Sequence, residues 1–192
     1  MKPRRRLKVG DTIPDFWTRD INGGEIDSRD LKKDTLIVFL RYAGCPFCNL
    51  AVYRLAQEHK LLQKNGCDVL VFIQSTEDNI ERHVLAVQDR PLPFPVIADQ
   101  AQDFYRMFGV YPNAAKAVKY TAKNATHWID AVLRKKFKQT SFEGAAFVVP
   151  AYFLTDKEGS IRLMNYDANF YEDAVFTPIY EQLTVSATKK HA

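Results

Sequence analysis

Cysteine is scarce in this chain, and long hydrophobic runs are absent. The 192 residues include three cysteines, Cys45, Cys48 and Cys67. A small, odd number of thiols argues against the disulfide framework of a secreted domain. No apolar run approaches the roughly 20 residues of a membrane span, and no apolar signal-peptide core follows the basic start. We therefore expect a protein of the reducing cytoplasm that does not enter a membrane.

The composition is that of a folded protein. Apolar residues make up 46% of the chain and charged residues 26%, which is typical of a globular domain rather than of a disordered segment. We expect one domain over residues 1–192. The net charge of +4 is concentrated at the start, where residues 1–6 form a basic tail. Because no aromatic or nucleic-acid-binding motif follows, this tail is interpreted as solvated, and nucleic acid is not expected as a partner.

Two of the cysteines lie close together in the run Cys45-Pro46-Phe47-Cys48, between an apolar run and a helical pattern. Proline is favoured at the first position of a helix, so Pro46 places Cys45 at the helix start. Unpaired backbone N–H groups and the helix dipole favour a thiolate there, and the thiolate is the nucleophilic form. Since residues three apart share a helix face, the two sulfurs are within disulfide reach. Cys45 is the predicted nucleophile and Cys48 the predicted resolving thiol.

Strand and helix patterns alternate over most of the chain, which predicts an α/β fold with βαβ crossovers. A hairpin is expected within residues 7–31, and a helical insertion rich in lysine and arginine is expected at 111–146. Pro150 interrupts the strand that follows this insertion. The predicted strands are 36–40, 67–73, 96–98, 147–154 and 161–166, and the predicted helices are 46–66, 75–88, 99–108 and 174–184.

Two runs resemble a known family. Leu7-Lys8-Val9-Gly10-Asp11-Thr12-Ile13-Pro14-Asp15-Phe16 resembles the opening of the alkyl hydroperoxide reductase/thiol-specific antioxidant superfamily, the peroxiredoxins and their relatives. Arg41-Tyr42-Ala43-Gly44-Cys45-Pro46-Phe47-Cys48 is similar to the signature of a peroxiredoxin-like branch. The resemblance implies a thioredoxin-like fold, with a central mixed sheet flanked by helices and the insertion placed before a strand that carries a cis-proline.

The sequence also departs from that family. Tyr42 stands where typical peroxiredoxins have a threonine, three residues before the peroxidatic cysteine, and Pro150 stands where an arginine is usual. Thioredoxins place a cis-proline facing the CxxC at the position of Pro150, so the resemblance implies a thioredoxin-like site. Phe39 occupies the position of the buried aspartate of thioredoxins. Arg41 is the candidate to replace the missing cation.

The predicted function is a thiol–disulfide oxidoreductase that needs no cofactor. Its substrate would be a protein disulfide or a peroxide, and its reductant would be of the thioredoxin or glutathione type. Peroxide reduction is the alternative within the enzymes, and a redox-fold binding scaffold is the alternative outside them. A zinc site is disfavoured because zinc normally takes four ligands and no second CxxC or paired histidine motif is present. Oligomeric state is not predicted.

Several residues carry two interpretations. Arg41 is either an electrostatic partner of Cys45 or an ordinary residue at a strand end, and Tyr42 either shapes the site or only packs. Cys67 is interpreted as a small apolar residue of a buried strand. The basic insertion is interpreted as a solvated helical face rather than as a docking surface for an acidic partner. Pro46 and Pro150 are predicted to support the site.

Overall fold

The computed structural model of the protein describes residues 5–137, 139–140, 145 and 147–189, with the side chains of 128, 130 and 186–189 outside the description. Its strands are β1 (Trp17–Arg19), β2 (Glu25–Asp27), β3 (Asp34–Phe39), β4 (Cys67–Ile73), β5 (Val96–Ala98), β6 (Ala151–Thr155) and β7 (Ile161–Asn165). Its helices are α1 (Pro46–Lys64), α2 (Glu77–His83), α3 (Asp103–Met107), α4 (Ala114–Lys123), α5 (Ala125–Ile129) and α6 (Thr177–Lys189). A π-helical turn, Asp130–Arg134, follows α5.

Five strands form a mixed sheet in the order β5-β4-β3-β6-β7. β3, β4 and β5 are parallel to one another, and β6 and β7 add to β3 as an antiparallel hairpin. β1 and β2 form the separate hairpin that the sequence predicted. The predicted α/β class with a central mixed sheet is confirmed.

β3 is the central strand, and its side chains divide the core into two parts. Leu36 and Val38 belong to the cluster that contains α1 and all three cysteines. Ile37 and Phe39 point to the opposite cluster, which includes the helix α3. Since every residue of β3 is buried, the continuous apolar run reflects burial on both faces, as in other central parallel strands.

α1 begins where the sequence predicted. Cys45 is its N-cap residue in an extended conformation, and Pro46 is the first helical residue. The helix ends at Lys64, and Gly66 follows with a φ of +71°, a left-handed conformation that glycine adopts without steric cost. The strand-to-helix turn therefore carries the CxxC, and this is the element that positions the site.

Two predicted helices are shorter than expected. α2 begins after Thr76 rather than at Ser75, because the Thr76 hydroxyl accepts a hydrogen bond from the Asn79 N–H at 3.3 Å. Asp99 does act as a cap, since its carboxylate accepts the N–H groups of Asp103 and Phe104 at 2.8 Å, but the regular helix starts only at Asp103. Short polar side chains can bond backbone groups several residues ahead, which explains both displaced helix starts.

The predicted cis-proline is wrong. No cis peptide bond occurs among the described residues, so the bond between Val149 and Pro150 is trans. β6 begins at Ala151, directly after Pro150. At this position the missing N–H of proline removes no hydrogen bond from the sheet, and the Pro150 carbonyl accepts the N–H of Ala168 at 2.8 Å.

The segment expected to be a helical insertion contains helices. It comprises α4, α5 and the π-helical turn, whereas residues 138, 141–144 and 146 of the predicted range lie outside the description. Tyr120 of α4 and Phe137 are buried in the cluster that contains the cysteines. The insertion therefore packs onto the core on the same side of the sheet as the CxxC.

The basic tail lies partly outside the described residues, which begin at residue 5. Arg5 forms an ion pair with Asp11 at 3.1 Å, and the guanidinium of Arg6 lies 4.5 Å from the ring centre of Tyr166. These two residues contact the domain while remaining exposed to solvent. Across the described ranges, no helix is both long and apolar enough to cross a membrane.

Candidate active site

The loop between β3 and α1 is held by hydrogen bonds from several elements. The Cys45 N–H donates to the Tyr42 carbonyl at 3.1 Å, and the Ala43 N–H donates to the Ser75 hydroxyl at 2.9 Å. The Asn49 side chain, one turn into α1, donates to the Ala43 carbonyl at 3.0 Å. Sequence reasoning assigned Ser75 to a helix cap and missed Asn49, which is polar yet buried beside the CxxC. These bonds fix the backbone that presents Cys45.

Cys45 and Cys48 approach each other to 3.6 Å. Both are free thiols, and both are buried, with only 1% and 0% of their surfaces exposed. The Cys48 N–H donates to the Cys45 carbonyl at 3.0 Å, as expected at the first turn of a helix. The two cysteines are thus placed together on one face of the helix start.

The two thiols have different acidities. Burial opposes ionisation of Cys45, but hydrogen bonding to Cys48, the positive charge of Arg41 and the N–H groups of Cys48 and Phe47 lower its pKa to about 7. Burial and the neighbouring Cys45 raise the pKa of Cys48 well above its usual value. The shifts run in opposite directions, so Cys45 is the more acidic of the two thiols and the one that ionises first.

Arg41 lies beside both cysteines. Its backbone N–H donates to the Cys48 sulfur at 3.2 Å, and its guanidinium lies 5.4 Å from the ring centre of Tyr42. Burial works to lower the pKa of Arg41, but negative charge at Cys45 and Cys48 raises it on balance. Arg41 is therefore close enough to both sulfurs for its charge to stabilise a thiolate.

Tyr42 is a buried residue of the site, and a hydrogen bond connects it to the expected insertion. Its hydroxyl accepts a hydrogen bond from the Gln139 side-chain amide at 3.1 Å. The Thr140 N–H donates to the Gly44 carbonyl at 3.1 Å. Burial raises the pKa of Tyr42 to about 12, so it is a neutral phenol near pH 7. No pattern in the sequence pointed to Gln139, because its partner is 97 residues away.

An aromatic cluster covers the helix start. The Phe47 ring stacks on Tyr171 with 5.0 Å between ring centres, and Tyr120 contacts Phe47 edge-on at 6.4 Å. The Tyr120 hydroxyl donates to the Ala168 carbonyl at 2.9 Å. The Tyr171 hydroxyl is buried and makes no hydrogen bond of standard geometry in the described part of the chain, although burial and the nearby Tyr120 hydroxyl raise the pKa of Tyr171. Neither tyrosine was expected at the site, since they come from segments far from Phe47 in sequence.

Pro150 and Phe39 occupy the positions that the strand register gives them. The last pair between β3 and β6 is Phe39 with Ala151, so Pro150 lies beside the end of β3 from which the CxxC loop departs. Phe39 points to the opposite face of the sheet, where its ring stacks on Phe72 at 4.9 Å. The position that carries a buried aspartate in thioredoxins therefore contributes no group to this site.

Buried carboxylates occur elsewhere in the molecule. Those in the described residues are Asp34 and Asp99. Asp34 forms an ion pair with Arg162 at 2.6 Å, and Asp99 caps α3. Both carboxylates make structural contacts away from the CxxC. Within the described residues, Arg41 and backbone N–H groups are therefore the groups that stabilise negative charge at Cys45.

Cys67 lies at the other end of the sheet from the CxxC. It pairs with Asp34, the first residue of β3, whereas the CxxC loop follows the last. Its thiol is buried, and burial raises its pKa to about 12. The described residues hold no group of three or more histidine, cysteine, aspartate or glutamate side chains placed to bind a metal ion. Cys67 thus behaves as a packing residue.

Comparison with known proteins gives the family. The model of the AhpC/TSA family matches residues 9–164. The chain belongs to the AhpC/TSA family. This membership confirms the resemblance drawn from the sequence and the predicted class of activity, which is thiol-based oxidoreduction.

Solved structures show the same fold at low sequence identity. Peroxidoxin BcpB from Mycobacterium tuberculosis is 14% identical with a TM-score of 0.64, covering 94% of this chain and 98% of that chain. A putative thiol:disulfide interchange protein DsbE from Chlorobium tepidum is 18% identical with a TM-score of 0.61, covering 93% and 97%. The reduced 2-Cys peroxiredoxin of Plasmodium vivax is 13% identical with a TM-score of 0.63, covering 95% and 98%. A search of curated proteins gives no match. The thioredoxin-like fold is confirmed.

Proposed function

We propose that this AhpC/TSA member is a thiol–disulfide oxidoreductase in which Cys45 attacks and Cys48 resolves. The observation that carries the proposal is the paired placement of the two thiols 3.6 Å apart with pKa values shifted in opposite directions. A thiolate next to a protonated thiol is the arrangement that dithiol exchange needs. Arg41, Tyr42, Pro46 and Pro150 then act as supporting residues.

The reaction runs in two exchange steps. The Cys45 thiolate attacks one sulfur of a substrate disulfide, so a Cys45–substrate disulfide forms and the other substrate sulfur leaves as a thiolate. Cys48 then loses its proton and attacks the Cys45 sulfur, which forms the Cys45–Cys48 disulfide and releases the second substrate thiolate. Two substrate thiols are produced after protonation, and the protein dithiol is oxidised. A thioredoxin- or glutathione-type thiol reverses the exchange and restores the dithiol.

Arg41 and the helix start provide the activation. The charge of Arg41 and the N–H groups of Phe47 and Cys48 stabilise the Cys45 thiolate. When Cys45 is bound in a mixed disulfide its negative charge is gone, and with it the electrostatic effect that raises the pKa of Cys48. Deprotonation of Cys48 thus becomes easier after the first step, in the order that resolution requires.

Peroxide reduction is a second candidate, favoured by the burial of Cys45, which is only 1% exposed. A hydroperoxide is small enough to enter a site that a folded protein disulfide cannot. The Cys45 thiolate would attack the O–O bond, giving Cys45 sulfenic acid and an alcohol or water. Cys48 would then attack that sulfur, forming the same disulfide and releasing water. Tyr42 and Pro150 replace the threonine and arginine of typical peroxiredoxins, which weakens this candidate.

Comparing rates with variants tests these alternatives. The reduced protein is mixed with a protein disulfide, with small disulfides and with hydrogen peroxide, and the conversion of its Cys45–Cys48 dithiol to the disulfide is followed by mass spectrometry after acid quenching and alkylation. Dithiol exchange predicts that Cys48→Ser accumulates a mixed disulfide at Cys45 and that Cys45→Ser forms none. If hydrogen peroxide is consumed much faster than any disulfide, the peroxidase candidate replaces the proposal. If Cys45→Ser reacts as fast as the wild-type protein, both redox proposals fail and a binding scaffold remains.

A further inference from the structure

A basic cleft lies next to the redox site. It encloses about 260 Å³ and is lined on one side by three lysines of α4, Lys116, Lys119 and Lys123. The lysines are spaced three and four residues apart, so they share one face of the helix. The sequence alone favoured a solvated face for this segment, but the face borders a concavity.

The cleft carries an excess of positive charge. Among the described residues that line it, Asp167 is the one acid, against three lysines. Lys116 pairs with Asp167 at 2.7 Å, and Lys119 and Lys123 are exposed at the rim. Two positive charges thus remain in excess, and clustered cations around a concave surface concentrate anions there.

Two amide side chains, those of Asn124 and Asn169, also line the cleft. The buried Asn124 accepts a hydrogen bond from the Asn169 side chain at 2.8 Å and donates to the Tyr120 carbonyl at 2.8 Å. These bonds fix the two amide side chains relative to the lysines. A cleft with fixed amides and surrounding ammonium groups suits a carboxylate-bearing molecule, which needs both charge and hydrogen-bond donors.

The cleft and the cysteines share a wall. Tyr120 lines the cleft, and its ring contacts Phe47, the residue between Pro46 and Cys48. Its hydroxyl is close enough to Cys48 and Cys45 for their negative charge to add to the effect of burial in raising the Tyr120 pKa. Val149, which also lines the cleft, leads directly into Pro150. Tyr120 therefore links the cleft to the CxxC through its contact with Phe47.

We propose that this cleft binds the anionic end of a small, carboxylate-bearing disulfide or its thiol and directs its sulfur to Cys45. The proposal rests on the proposed dithiol exchange and specifies its substrate class. Cys45 attacks the small disulfide, one anionic thiolate leaves, and Cys48 releases the second while the Cys45–Cys48 disulfide forms. The reverse exchange consumes two small thiols and restores the dithiol. Burial of both cysteines is consistent with a small substrate.

Binding is tested separately from turnover. The probe is S-methylglutathione, which carries the carboxylates but has no reactive sulfur, titrated by calorimetry into the reduced protein. We expect Lys119→Gln/Lys123→Gln to bind at least about fivefold more weakly, and added salt to reduce the difference. The matched control is Lys60→Gln/Lys64→Gln, an equal charge change on exposed lysines four residues apart on α1. Equal affinity of the cleft variant and the wild-type protein overturns the proposal.

Turnover is tested with disulfides of different charge. Reduced protein is mixed with anionic glutathione disulfide, neutral hydroxyethyl disulfide and cationic cystamine. We expect the anionic disulfide to react fastest, and the cleft variant, but not the α1 control, to lose this preference. A preference that survives in the cleft variant overturns the proposal while leaving dithiol exchange intact. If no disulfide reacts but S-methylglutathione binding still depends on Lys119 and Lys123, the proposed function fails and the anion site stands.

Discussion

The backbone N–H of Arg41 donates a hydrogen bond to the sulfur of Cys48, seven residues further along the chain, at 3.2 Å. The same residue places its positive charge where it lowers the pKa of Cys45. Arg41 therefore acts on Cys45 through its side-chain charge, and on Cys48 through both that charge and its backbone N–H. A substitution at this position separates the two effects, because the backbone N–H remains.

The acidity of Cys45 predicts a pH profile. Because its pKa is lowered to about 7, the thiolate fraction rises as pH increases through that value, whereas an unperturbed thiol ionises near about 8.5. We expect the rate of Cys45 alkylation by iodoacetamide to rise with a midpoint near 7. Mass spectrometry of the digested protein assigns the modification to Cys45, and Cys67, whose pKa is raised to about 12, serves as the unreactive internal reference. A Cys45 midpoint near that of a free thiol would contradict the proposed activation.

Arg41→Gln should shift this profile upward. Removing the cation disfavours the thiolate, so the alkylation midpoint of Cys45 rises by about one pH unit, and reactivity near pH 7 falls several-fold. The hydrogen bond from residue 41 to Cys48 persists, since it comes from the backbone. Arg82→Gln is the control, because Arg82 is exposed on α2 and its loss changes the net charge equally. If both variants keep the wild-type midpoint, Arg41 has no electrostatic role.

The sequence predicts the core of this fold well because its signals are local. A continuous apolar run defines β3, and Pro46 and Gly66 mark the two ends of α1. The CxxC was found for the same reason, since both cysteines lie within one helical turn. The partners of Tyr42 and Phe47 escaped prediction, because Gln139 and Tyr171 reach the site only through tertiary folding. The cis-proline prediction failed because it rested on the family resemblance and on Pro150 lying inside a strand, whereas β6 begins only at Ala151.

Gln139 offers a test of how the insertion covers the site. Gln139→Ala removes the hydrogen bond to the Tyr42 hydroxyl, and the loss of such a bond costs about 1 kcal/mol. We expect residues 139–140 to detach from the site about fivefold more often. The rate of Cys45 alkylation above its pH midpoint should rise by a similar factor, while the midpoint itself stays in place. Alkylation rates measured over a range of pH separate access from acidity.

The matched control for this variant is Gln57→Ala. Gln57 donates a hydrogen bond to the Tyr53 hydroxyl at 3.0 Å on the surface of α1. The substitution therefore removes a similar glutamine–tyrosine bond and leaves residues 139–140 unchanged. Its alkylation rate should equal that of the wild-type protein. Unchanged alkylation in Gln139→Ala would show that this bond does not limit access to Cys45.

We expect the free energy of unfolding to respond differently when the hydroxyl of Tyr120 and that of Tyr171 are removed. Tyr120→Phe leaves the Ala168 carbonyl without the donor now at 2.9 Å, which should lower the free energy of unfolding by about 1 kcal/mol. Tyr171→Phe removes a buried hydroxyl that makes no hydrogen bond of standard geometry with the described residues, while keeping the ring that stacks on Phe47. Its unfolding free energy should therefore be unchanged or raised by up to about 1 kcal/mol, since an unsatisfied buried polar group is lost.

Urea unfolding of the two variants beside the wild-type protein measures this difference, because each substitution removes one oxygen atom from a buried ring. A midpoint shift without a change in slope reports stability alone. The expected order of midpoints is Tyr171→Phe at or above wild type, then Tyr120→Phe below it. If Tyr171→Phe is the less stable of the two, the Tyr171 hydroxyl has a partner in solution. The nearest candidate would then be the Tyr120 hydroxyl, which together with burial raises the pKa of Tyr171.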